Sequence, residues 1–385
     1  MIIDGEHYAS LTYIPPSGWR GDAIRIIDQR FLPFQVVFRT LSSLDDVVNA
    51  ISKMQVRGAP LIGITAAFGL AFAISENRYA EKENCLEESV EKIMQARPTA
   101  FNTEYCLKRM LKRISGLTDT RDQYELALEI AQELLEEDKT ICRAIGEHGL
   151  EIIKEVSARK ADKEGNNQGN PPVVNILTHC NAGWLACVDF GTVTSIIYHA
   201  QKMGIDLHVW VDETRPRNQG ARLTVWELTQ NGVKNSLITD NAGGLLMQKG
   251  MVDLVLVGCD RVTREGDATN KIGTYLKALA AYDNDIPFYV ALPSSTIDWT
   301  TEDGLKNIPI ENRDENEVKY VEGLCDNEIK SVLITEENAR AVNPGFDITP
   351  ARLISGLVTE RGICKANREN ISRMFPEYAS SSDDR

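Results

Sequence analysis

Two side chains suited to proton transfer, Cys180 and Asp260, follow apolar segments that are typical of buried strands. Cys180 precedes an Asn-Ala-Gly turn, and a thiol at the start of a helix tends to be reactive. A carboxyl group that is desolvated at the end of a strand can keep its proton and act as a general acid or base. The simpler interpretation of Cys180 is a small buried apolar side chain, the commoner state of cysteine. Both residues are therefore candidates for acid–base catalysis.

The segment VRGAPLIG at residues 56–63 suggests an anion site. Pro60 fits the first position of a helix, and the free amides at a helix start favour an anion. Arg57 adds a charged fork of donors. A Gly-Pro helix start beside a surface arginine explains these residues equally well. Arg97 also precedes a proline, but its own surroundings favour a surface position.

Polar and cationic side chains recur in two later segments. Lys271 could neutralise a phosphate, and the neighbouring Asn270 could hold a hydroxyl group. The loop at 212–224 could bind a phosphate or a polyol, or it could be a solvated loop neutralised by its own acidic residues. Its cationic and amide side chains are Arg215, Arg217, Gln219 and Arg222.

Several motifs of cofactor and metal chemistry are absent from the sequence. Neither the dinucleotide pattern GxGxxG nor the P-loop pattern GxxxxGK(S/T) occurs, and there is no HExxH or GxSxG. Eight cysteines occur without a CxxC pair, which indicates neither a disulfide framework nor a zinc ribbon. We therefore expect no cofactor and no metal ion.

Apolar runs alternate with helical patterns after residue 172. This alternation indicates a parallel sheet covered on both faces, so we predict an α/β fold with a Rossmann-like, doubly wound sheet. Ligands bind outside the carboxyl ends of such strands. Polar residues that include Thr214 and Asp240 follow the runs, as Cys180 and Asp260 do, and form a site-like arrangement. The runs are 173–180, 207–214, 236–241, 254–262 and 288–295.

The first half of the chain predicts a smaller mixed domain of short strands and helices. Ser43 can cap a helix that begins at Leu44, and a polar segment at 158–172 predicts an exposed loop. We expect an N-terminal domain at 1–157 that includes a connecting helix, a catalytic domain at 173–374 and a disordered tail at 375–385. Short strands are predicted at 24–28 and 35–38, and helices at 61–76, 84–94, 104–114 and 123–156.

The chain has 385 residues, with 42 basic and 56 acidic side chains and a net charge of −14. This acidic balance argues against nucleic acid or an anionic membrane as the main partner. The most apolar window, 61–74, is too short for a membrane span, and the N-terminus lacks the pattern of a signal peptide. We expect a soluble, cytoplasmic protein.

Nine sequence blocks in order resemble the methylthioribose-1-phosphate isomerase family. They include VRGAPLIG, RPTAFN, RAIGEHG, THCNAG, QGARLT, EGDATNKIGT and PFYVALPSSTID, between about Ile27 and Gly356. The resemblance implies a metal-independent aldose–ketose isomerase that converts 5-methylthioribose 1-phosphate into 5-methylthioribulose 1-phosphate in methionine salvage. It also implies a homodimer with a small N-terminal domain and a Rossmann-like C-terminal domain. The same fold group contains ribose-1,5-bisphosphate isomerases and regulatory subunits of a translation-initiation exchange factor.

The resemblance also implies roles for particular residues. Cys180 and Asp260 would be the catalytic pair, with Asp260 as proton donor to the ring oxygen. Cys180 would remove the C2 proton, or would stabilise the sugar during a direct hydride shift. The substrate-binding residues would be Arg57, Gly58, Ala59, Arg97, Gln219, Asn270 and Lys271.

Three departures from the family pattern put the sugar 5-substituent in doubt: Trp184, Arg217 and the pair Gly243-Gly244. An extra cation at Arg217 suits a 5-phosphate better than a methylthio group. Ribose 1,5-bisphosphate and 5-deoxyribose 1-phosphate are therefore alternative substrates. A binding-only regulatory subunit is a further alternative, but it would not need the Cys180 and Asp260 pair. A dehydrogenase would fit the sheet but not the missing glycine fingerprint.

Overall fold

The computed structural model describes residues 1–3, 5–17, 21–76, 85–97, 101–164 and 172–379. In its N-terminal part the strands are β1 (Ile2–Ile3), β2 (Glu6–His7), β3 (Leu11–Ile14), β4 (Ala23–Ile27) and β5 (Phe38–Leu41). The helices there are α1 (Leu44–Ser52), α2 (Ala59–Glu76), α3 (Cys85–Ala96), α4 (Phe101–Ile114) and α5 (Thr120–Glu164).

The C-terminal part holds the remaining described elements. Its strands are β6 (Val174–Thr178), β7 (Leu207–Asp212), β8 (Asn235–Ile238), β9 (Leu254–Val257), β10 (Arg261–Thr263), β11 (Ala268–Lys271), β12 (Phe288–Ala291), β13 (Ile297–Asp298), β14 (Tyr320–Cys325), β15 (Glu328–Leu333), β16 (Phe346–Thr349), β17 (Gly356–Thr359) and β18 (Gly362–Cys364). Its helices are α6 (Val193–Lys202), α7 (Val225–Gln230), α8 (Ala242–Gln248), α9 (Thr274–Asp283), α10 (Gly304–Asn307), α11 (Asn316–Lys319), α12 (Arg368–Met374) and α13 (Pro376–Ala379).

Local sequence signals account for the start of α1. The Ser43 hydroxyl accepts a hydrogen bond from the Asp46 amide at 3.0 Å, and two aspartates in the first turn favour the positive end of the helix. The predicted N-cap is therefore confirmed. The strand predicted at 35–38 is wrong in position, because β5 begins only at Phe38 and pairs antiparallel with β4.

Helix α2 is the apolar helix that resembles a membrane span by length and composition, and 83% of its apolar window is buried inside the fold. It packs against α1, α4 and α5, and its large side chains, among them Phe68 and Leu70, are fully buried. Because it is covered on nearly all sides, α2 needs no polar face. It is a core helix of the N-terminal unit.

Helix α5 connects the two halves of the molecule. Its 45 residues make a helix about 68 Å long. Ala127 and Ile130 lie in the N-terminal core, whereas Ile145 and Ile153 lie in the core beneath the large sheet. The predicted loop at 158–172 begins too early, since residues 158–164 continue this helix. Residues 165–171 of that loop lie outside the described residues.

The C-terminal part confirms the predicted doubly wound α/β sheet. Seven strands form it in the order β18-β17-β12-β9-β6-β7-β8, with β18 antiparallel and the others parallel. The chain runs outward from β6 through β7 to β8, then crosses back to β9 on the other side of β6. This reversal opens a crevice at the carboxyl ends of β6 and β9, which is where such folds bind ligands.

A smaller four-stranded sheet, ordered β13-β10-β11-β16, follows β9. Strand β11 pairs with β10 and β16, so Asn270 and Lys271 lie on a strand and not at a helix start. Helix α9 begins after this strand, at Thr274. Strands β14 and β15 form a separate hairpin.

The end of the chain is more ordered than predicted. Phe375 is fully buried, residues Pro376–Ala379 form α13, and Tyr378 stacks on Trp299 with ring centroids 5.6 Å apart. The disordered tail predicted from 375 is therefore wrong for 375–379, because these aromatic contacts bury the segment. Residues 380–385 lie outside the described part of the chain.

Candidate active site

Cys180 and Asp260 line the same buried cavity at the crevice between β6 and β9. Cys180 comes two residues after β6, and Asp260 comes three residues after β9, which pairs directly with β6. This inner cavity is also lined by Arg57, Gly58, Ala59, His179, Asn181, Cys187 and Asn270. Its free volume of about 40 Å³ holds only a few water molecules. A bound pentose phosphate must therefore displace lining side chains.

The backbone at Cys180 is held in an uncommon conformation. Its φ of 65° lies in the left-handed region, which costs a residue other than glycine roughly 1–3 kcal/mol. The Cys180 amide donates to the Thr214 hydroxyl at 2.8 Å, and the Thr224 hydroxyl donates to the Cys180 carbonyl at 2.7 Å. These two bonds fix the thiol at the cavity wall.

Asp260 is joined to the strand that carries Asn270 and Lys271. Its amide donates to the carbonyl of Thr269 at 2.9 Å, so the returning β11 lies beside it. Burial raises the pKa of Asp260, against the opposing charges of Lys271, Arg97 and Arg57. A carboxyl group in this environment keeps its proton to higher pH and suits a general acid.

The ammonium group of Lys271 interacts electrostatically with both catalytic candidates. Its ammonium group donates to the carbonyl of Gly345 at 2.8 Å and lies 4.4 Å from the ring centre of Phe346. Burial lowers the pKa of Lys271, whereas Cys180 and Asp260 raise it. Asn270 lines the inner cavity, and its amide nitrogen donates to the Thr274 hydroxyl at 3.1 Å, so its oxygen stays available for a ligand.

Arg57 and Gly58 bring the N-terminus of α2 to the cavity. Arg57 donates to the side-chain oxygen of Asn181 and, at 2.8 Å, to its carbonyl oxygen. Gly58 has φ of +90°, and a Cβ there would lie 2.4 Å from the Cα of Ala186. Glycine is required at this position, because it permits both the conformation and the close approach.

The Gly58→Ala variant is expected to lower kcat/KM about tenfold or more, mainly through KM, because strain of 1–3 kcal/mol would move Arg57. Steady-state kinetics and circular dichroism would test this. Gly116→Ala is the control, since no heavy atom lies within 4 Å of a Cβ placed there. Unchanged kinetics in Gly58→Ala would contradict the close fit of this turn.

Arg97 is largely buried, although its neighbours in the sequence predict a surface position. Its side chain is 13% exposed, and its Nε lies 3.9 Å from Glu311 Oε2, an ion pair too long for a hydrogen bond. Its Nε and Nη1 atoms have no hydrogen-bond partner among the described residues. Burial lowers its pKa, followed by the charge of Arg313, while Glu311 and Asp260 raise it. Unpaired buried guanidinium donors are costly unless a ligand accepts from them. Residues 98–100 of the RPTAFN block lie outside the described residues.

Gln219 lines an adjoining middle cavity rather than the inner one. This middle cavity has a free volume of about 80 Å³ and shares Arg57 with the inner cavity. Gln219 is 5% exposed, and its Oε1 has no hydrogen-bond partner among the described residues. A larger outer cavity of about 340 Å³ shares Arg217, Arg222 and Glu322 with the middle one. The three cavities follow one another from the crevice to the surface.

A network of hydrogen bonds and ion pairs lies beneath the crevice, and the sequence analysis assigns it no function. His179 Nδ1 lies 2.8 Å from Asp212 Oδ2, and His179 Nε2 lies 2.8 Å from the carbonyl oxygen of Ile272. Asp240 accepts the amide of Thr214 at 2.7 Å. This network ties the ends of β6, β7 and β8 together. The sequence predicts that these polar residues follow the strands, but it does not predict which of them contact one another.

Two groups of potential metal ligands occur among the described residues: Asp138, Cys142 and Cys187; and His179, Asp212 and Asp240. In the second group, the Lys277 ammonium lies 3.2 Å from Asp212 Oδ2. The positive charge of Lys277 therefore stands where a metal ion would bind. In the first, a hydrogen bond to Cys187 and burial raise the pKa of Cys142 well above its usual value. A metal binds thiolates, so neither group favours an ion, and metal independence stays a prediction.

Comparison with known proteins identifies the family. Residues 55–366 match the initiation factor 2 subunit family. The chain is 50% identical over 378 residues to the methylthioribose-1-phosphate isomerase of Desulfatibacillum aliphaticivorans, covering 98% of this chain and 99% of that relative. It is 53% identical over 359 residues to that of Desulfosudis oleivorans, covering 92% and 94%.

Solved structures with the same fold agree with this assignment. The 5-methylthioribose 1-phosphate isomerase of Pyrococcus horikoshii matches with a TM-score of 0.79 at 33% identity, covering 97% of each chain. The translation initiation factor eIF-2B delta subunit of A. fulgidus matches with a TM-score of 0.73 at 34% identity, covering 96% and 100%. The structures alone separate the two branches poorly, whereas the sequence relatives separate them clearly. The chain belongs to the initiation factor 2 subunit family and, within it, to the methylthioribose-1-phosphate isomerases.

Proposed function

We propose that this protein is an aldose–ketose isomerase that converts 5-methylthioribose 1-phosphate into 5-methylthioribulose 1-phosphate in methionine salvage. One observation carries the proposal: Cys180 and Asp260 line a single cavity at the strand-order reversal, beside Arg57. A thiol, a carboxyl group with a raised pKa and a cationic anchor are the groups that this reaction needs.

The phosphate of the substrate is held by the cations around the inner cavity. Arg57 lies at the start of α2, where free amides and the helix dipole favour an anion. Arg97 has unpaired Nε and Nη1 donors within the described part of the chain, and its charge acts on Asp260. Lys271 also acts on Asp260 by its charge, and Arg97 is opposed by Glu311 at a distance of 3.9 Å between Nε and Oε2. A dianionic phosphate accepts hydrogen bonds from these cations.

Asp260 and Cys180 move the protons. A sugar whose anomeric oxygen carries phosphate cannot open its ring as a free aldose does. Asp260 donates its proton to the ring oxygen as the bond from that oxygen to C1 breaks. Cys180 then takes the C2 proton, which leaves an enol phosphate that carries a hydroxyl group at C2. The Asp260 carboxylate takes the proton of that hydroxyl as the Cys180 thiol protonates C1, so the ketose forms and both groups return to their starting states. In the alternative course, hydride passes directly from C2 to C1, the Asp260 carboxylate takes the proton of the C2 hydroxyl, and Cys180 stabilises the charge.

The surroundings of the outer cavities favour a substrate without a second phosphate. Arg217 donates to Glu317 at 2.9 Å, and although burial raises the pKa of Glu317, its hydrogen bonds with Arg313 and Arg217 hold it at about 2. Arg222 is also occupied, by Glu322 and by the Leu32 carbonyl. Met54 and Leu223 add apolar surface to the middle cavity, which suits a methylthio group.

The other two sequence departures lie away from the cavities. Trp184 is fully buried against Trp226, with ring centroids 6.0 Å apart. A Cβ on Gly243 would lie 3.0 Å from a methyl group of Leu177 and 3.5 Å from the stem of Lys277. Both positions therefore belong to the packing of the scaffold. They give no reason to replace the methylthio sugar as the proposed substrate.

The substrate assignment is tested by ketose formation from three sugars, in the presence of a chelator. We expect the highest kcat/KM with 5-methylthioribose 1-phosphate, a lower value with 5-deoxyribose 1-phosphate, and little turnover of ribose 1,5-bisphosphate, because Arg217 and Arg222 are already paired. Preference for the bisphosphate would contradict the substrate proposal and keep the chemistry. Failure to turn over any of the three would favour a binding-only subunit.

We further propose a cytoplasmic homodimer that needs no cofactor and binds neither nucleic acid nor membranes. The net charge of −14 supports the lack of an anionic partner. The turn after β6, THCNAG, lacks the glycines that a dinucleotide needs. Sedimentation equilibrium would test the dimer.

A further inference from the structure

Glu227 is a fully buried carboxylate behind the wall of the inner cavity, and the mechanism above does not use it. It lies on α7 and is 0% exposed. Its oxygens accept hydrogen bonds from the side-chain nitrogen of Asn181 at 3.0 Å and from the amides of Leu185 and Trp184 at 3.0 and 3.2 Å. Burial raises the pKa of Glu227 to about 7, although the hydrogen bonds from Asn181, Leu185 and Trp184 lower it, so an acidic side chain is costly to keep here.

The backbone around this carboxylate leaves no room for another side chain. A Cβ on Gly183 would lie 1.7 Å from Glu227 Oε2. Residues 183–185 therefore wrap directly around the carboxylate, and glycine is required where they come closest. The same short segment continues to Ala186, which packs against Gly58 at the cavity. Glu227 thus holds the loop that faces the Arg57 turn.

Hydrogen bonding determines which way the Asn181 amide points. The Thr224 hydroxyl donates its only proton to the Cys180 carbonyl. It can therefore only accept a hydrogen bond from Asn181, whose side-chain nitrogen lies 3.2 Å away. Glu227 is the second acceptor of that nitrogen. With both acceptors on one side, the amide nitrogen must face them and the amide oxygen must face Arg57. Arg57 donates to that oxygen.

We propose that Glu227 is a positioning residue for substrate phosphate, which acts through Asn181 to aim the Arg57 guanidinium. This inference rests on the proposed function, in which Arg57 binds the phosphate. Without the carboxylate, only the Thr224 hydroxyl still accepts from the Asn181 nitrogen, so the amide oxygen is held less firmly towards Arg57. The guanidinium then loses an acceptor and turns away from the productive orientation, which weakens phosphate binding more than it slows the proton transfers.

Glu227→Gln tests the proposal, since glutamine keeps the size of the side chain and removes one acceptor. We expect KM to rise about tenfold or more while kcat changes much less. Asn181→Ala, which cuts the same link, should act in the same direction. Asp253→Asn is the matched control: Asp253 accepts the Asn175 amide at 2.8 Å and pairs with Lys160. It lies at the amino-terminal end of β9, whereas the inner cavity lies at the carboxyl end. Its KM should stay unchanged.

A double-mutant cycle with Arg57→Ala separates positioning from a merely structural role. If Glu227 acts through Arg57, adding Glu227→Gln to Arg57→Ala causes no further rise in KM. Additive effects, or a loss of thermal stability in Glu227→Gln with normal KM, would overturn the inference. If Glu227→Gln does not fold, Asn181→Ala takes its place in the cycle, with the same two readings.

The Arg57→Ala variant also distinguishes the two proposals. A raised KM in Arg57→Ala together with a normal KM in Glu227→Gln and Asn181→Ala would overturn the positioning role alone. A normal KM in Arg57→Ala would overturn both the phosphate role of Arg57 and the action of Glu227 through it. Activity of the wild-type protein on the three sugars decides the reaction independently of either result.

Discussion

Asp260→Asn is expected to lower kcat by about 10²–10⁴-fold, the usual contribution of a general acid. Asparagine has nearly the shape of the aspartic acid but cannot transfer a proton to the ring oxygen. The Asp260 amide, which donates to Thr269, is unaffected by the change, so the fold and KM should be nearly normal. Steady-state kinetics with 5-methylthioribose 1-phosphate, together with circular dichroism, would measure both.

The pH dependence gives a second readout of the same residue. Burial raises the pKa of Asp260, so its acid form persists to higher pH than that of an exposed aspartic acid. Activity that depends on this form falls as the pH rises through the raised pKa. In Asp260→Asn, this alkaline limb should disappear from the residual activity, whereas Asp253→Asn should keep it. Normal turnover in Asp260→Asn would remove the residue from the mechanism.

Replacing Cys180 is expected to have an effect of similar size, about 10²–10⁴-fold on kcat, in both Cys180→Ala and Cys180→Ser. The backbone bonds to Thr214 and Thr224 do not involve the thiol, so each variant should fold. Cys364→Ala is the control, because Cys364 lies on the antiparallel edge strand β18. A serine variant with near-normal kcat would show that the thiol is not required.

Turnover in D₂O distinguishes the two roles of Cys180. If its sulfur removes the C2 proton, solvent deuterium should appear at C1 of the ketose. A hydride shift should leave C1 free of deuterium. Both outcomes are compatible with a large loss of kcat in Cys180→Ala. The deuterium content of C1 therefore shows whether Cys180 removes a proton or stabilises a hydride shift, and the kinetics of Cys180→Ala show whether the thiol takes part at all.

Much of this site could be predicted because it depends on local patterns. Continuous apolar runs separated by helices indicate a parallel sheet, and the carboxyl ends of parallel strands share one edge. Cys180 and Asp260 therefore had to lie at the same edge of the sheet. The Ser43 cap and the helix start near Pro60 were equally local, since each depends on a few neighbouring residues.

Other features depend on approach between segments that are distant in the chain. The neighbours of Arg97 in the sequence predict a surface residue, yet the fold leaves its side chain only 13% exposed, where its charge acts on Asp260. The tail after Met374 reads as polar and disordered, but Phe375 and Tyr378 find aromatic partners in the sheet domain. Neither outcome follows from local composition, because burial is a property of the assembled core.

By itself, the sequence determined the α/β class and the family, and it placed the candidate catalytic pair, Cys180 and Asp260, at the carboxyl ends of predicted strands. These depend on hydrophobic period and on short motifs whose physics is local. Only the tertiary structure decided which donors meet which acceptors: that Glu227 holds Asn181, that Asn181 holds Arg57, and that Glu317 already pairs with Arg217. Such bonds require atoms to meet within about 3 Å, and residues tens to hundreds of positions apart reach that distance only when the whole fold brings them together.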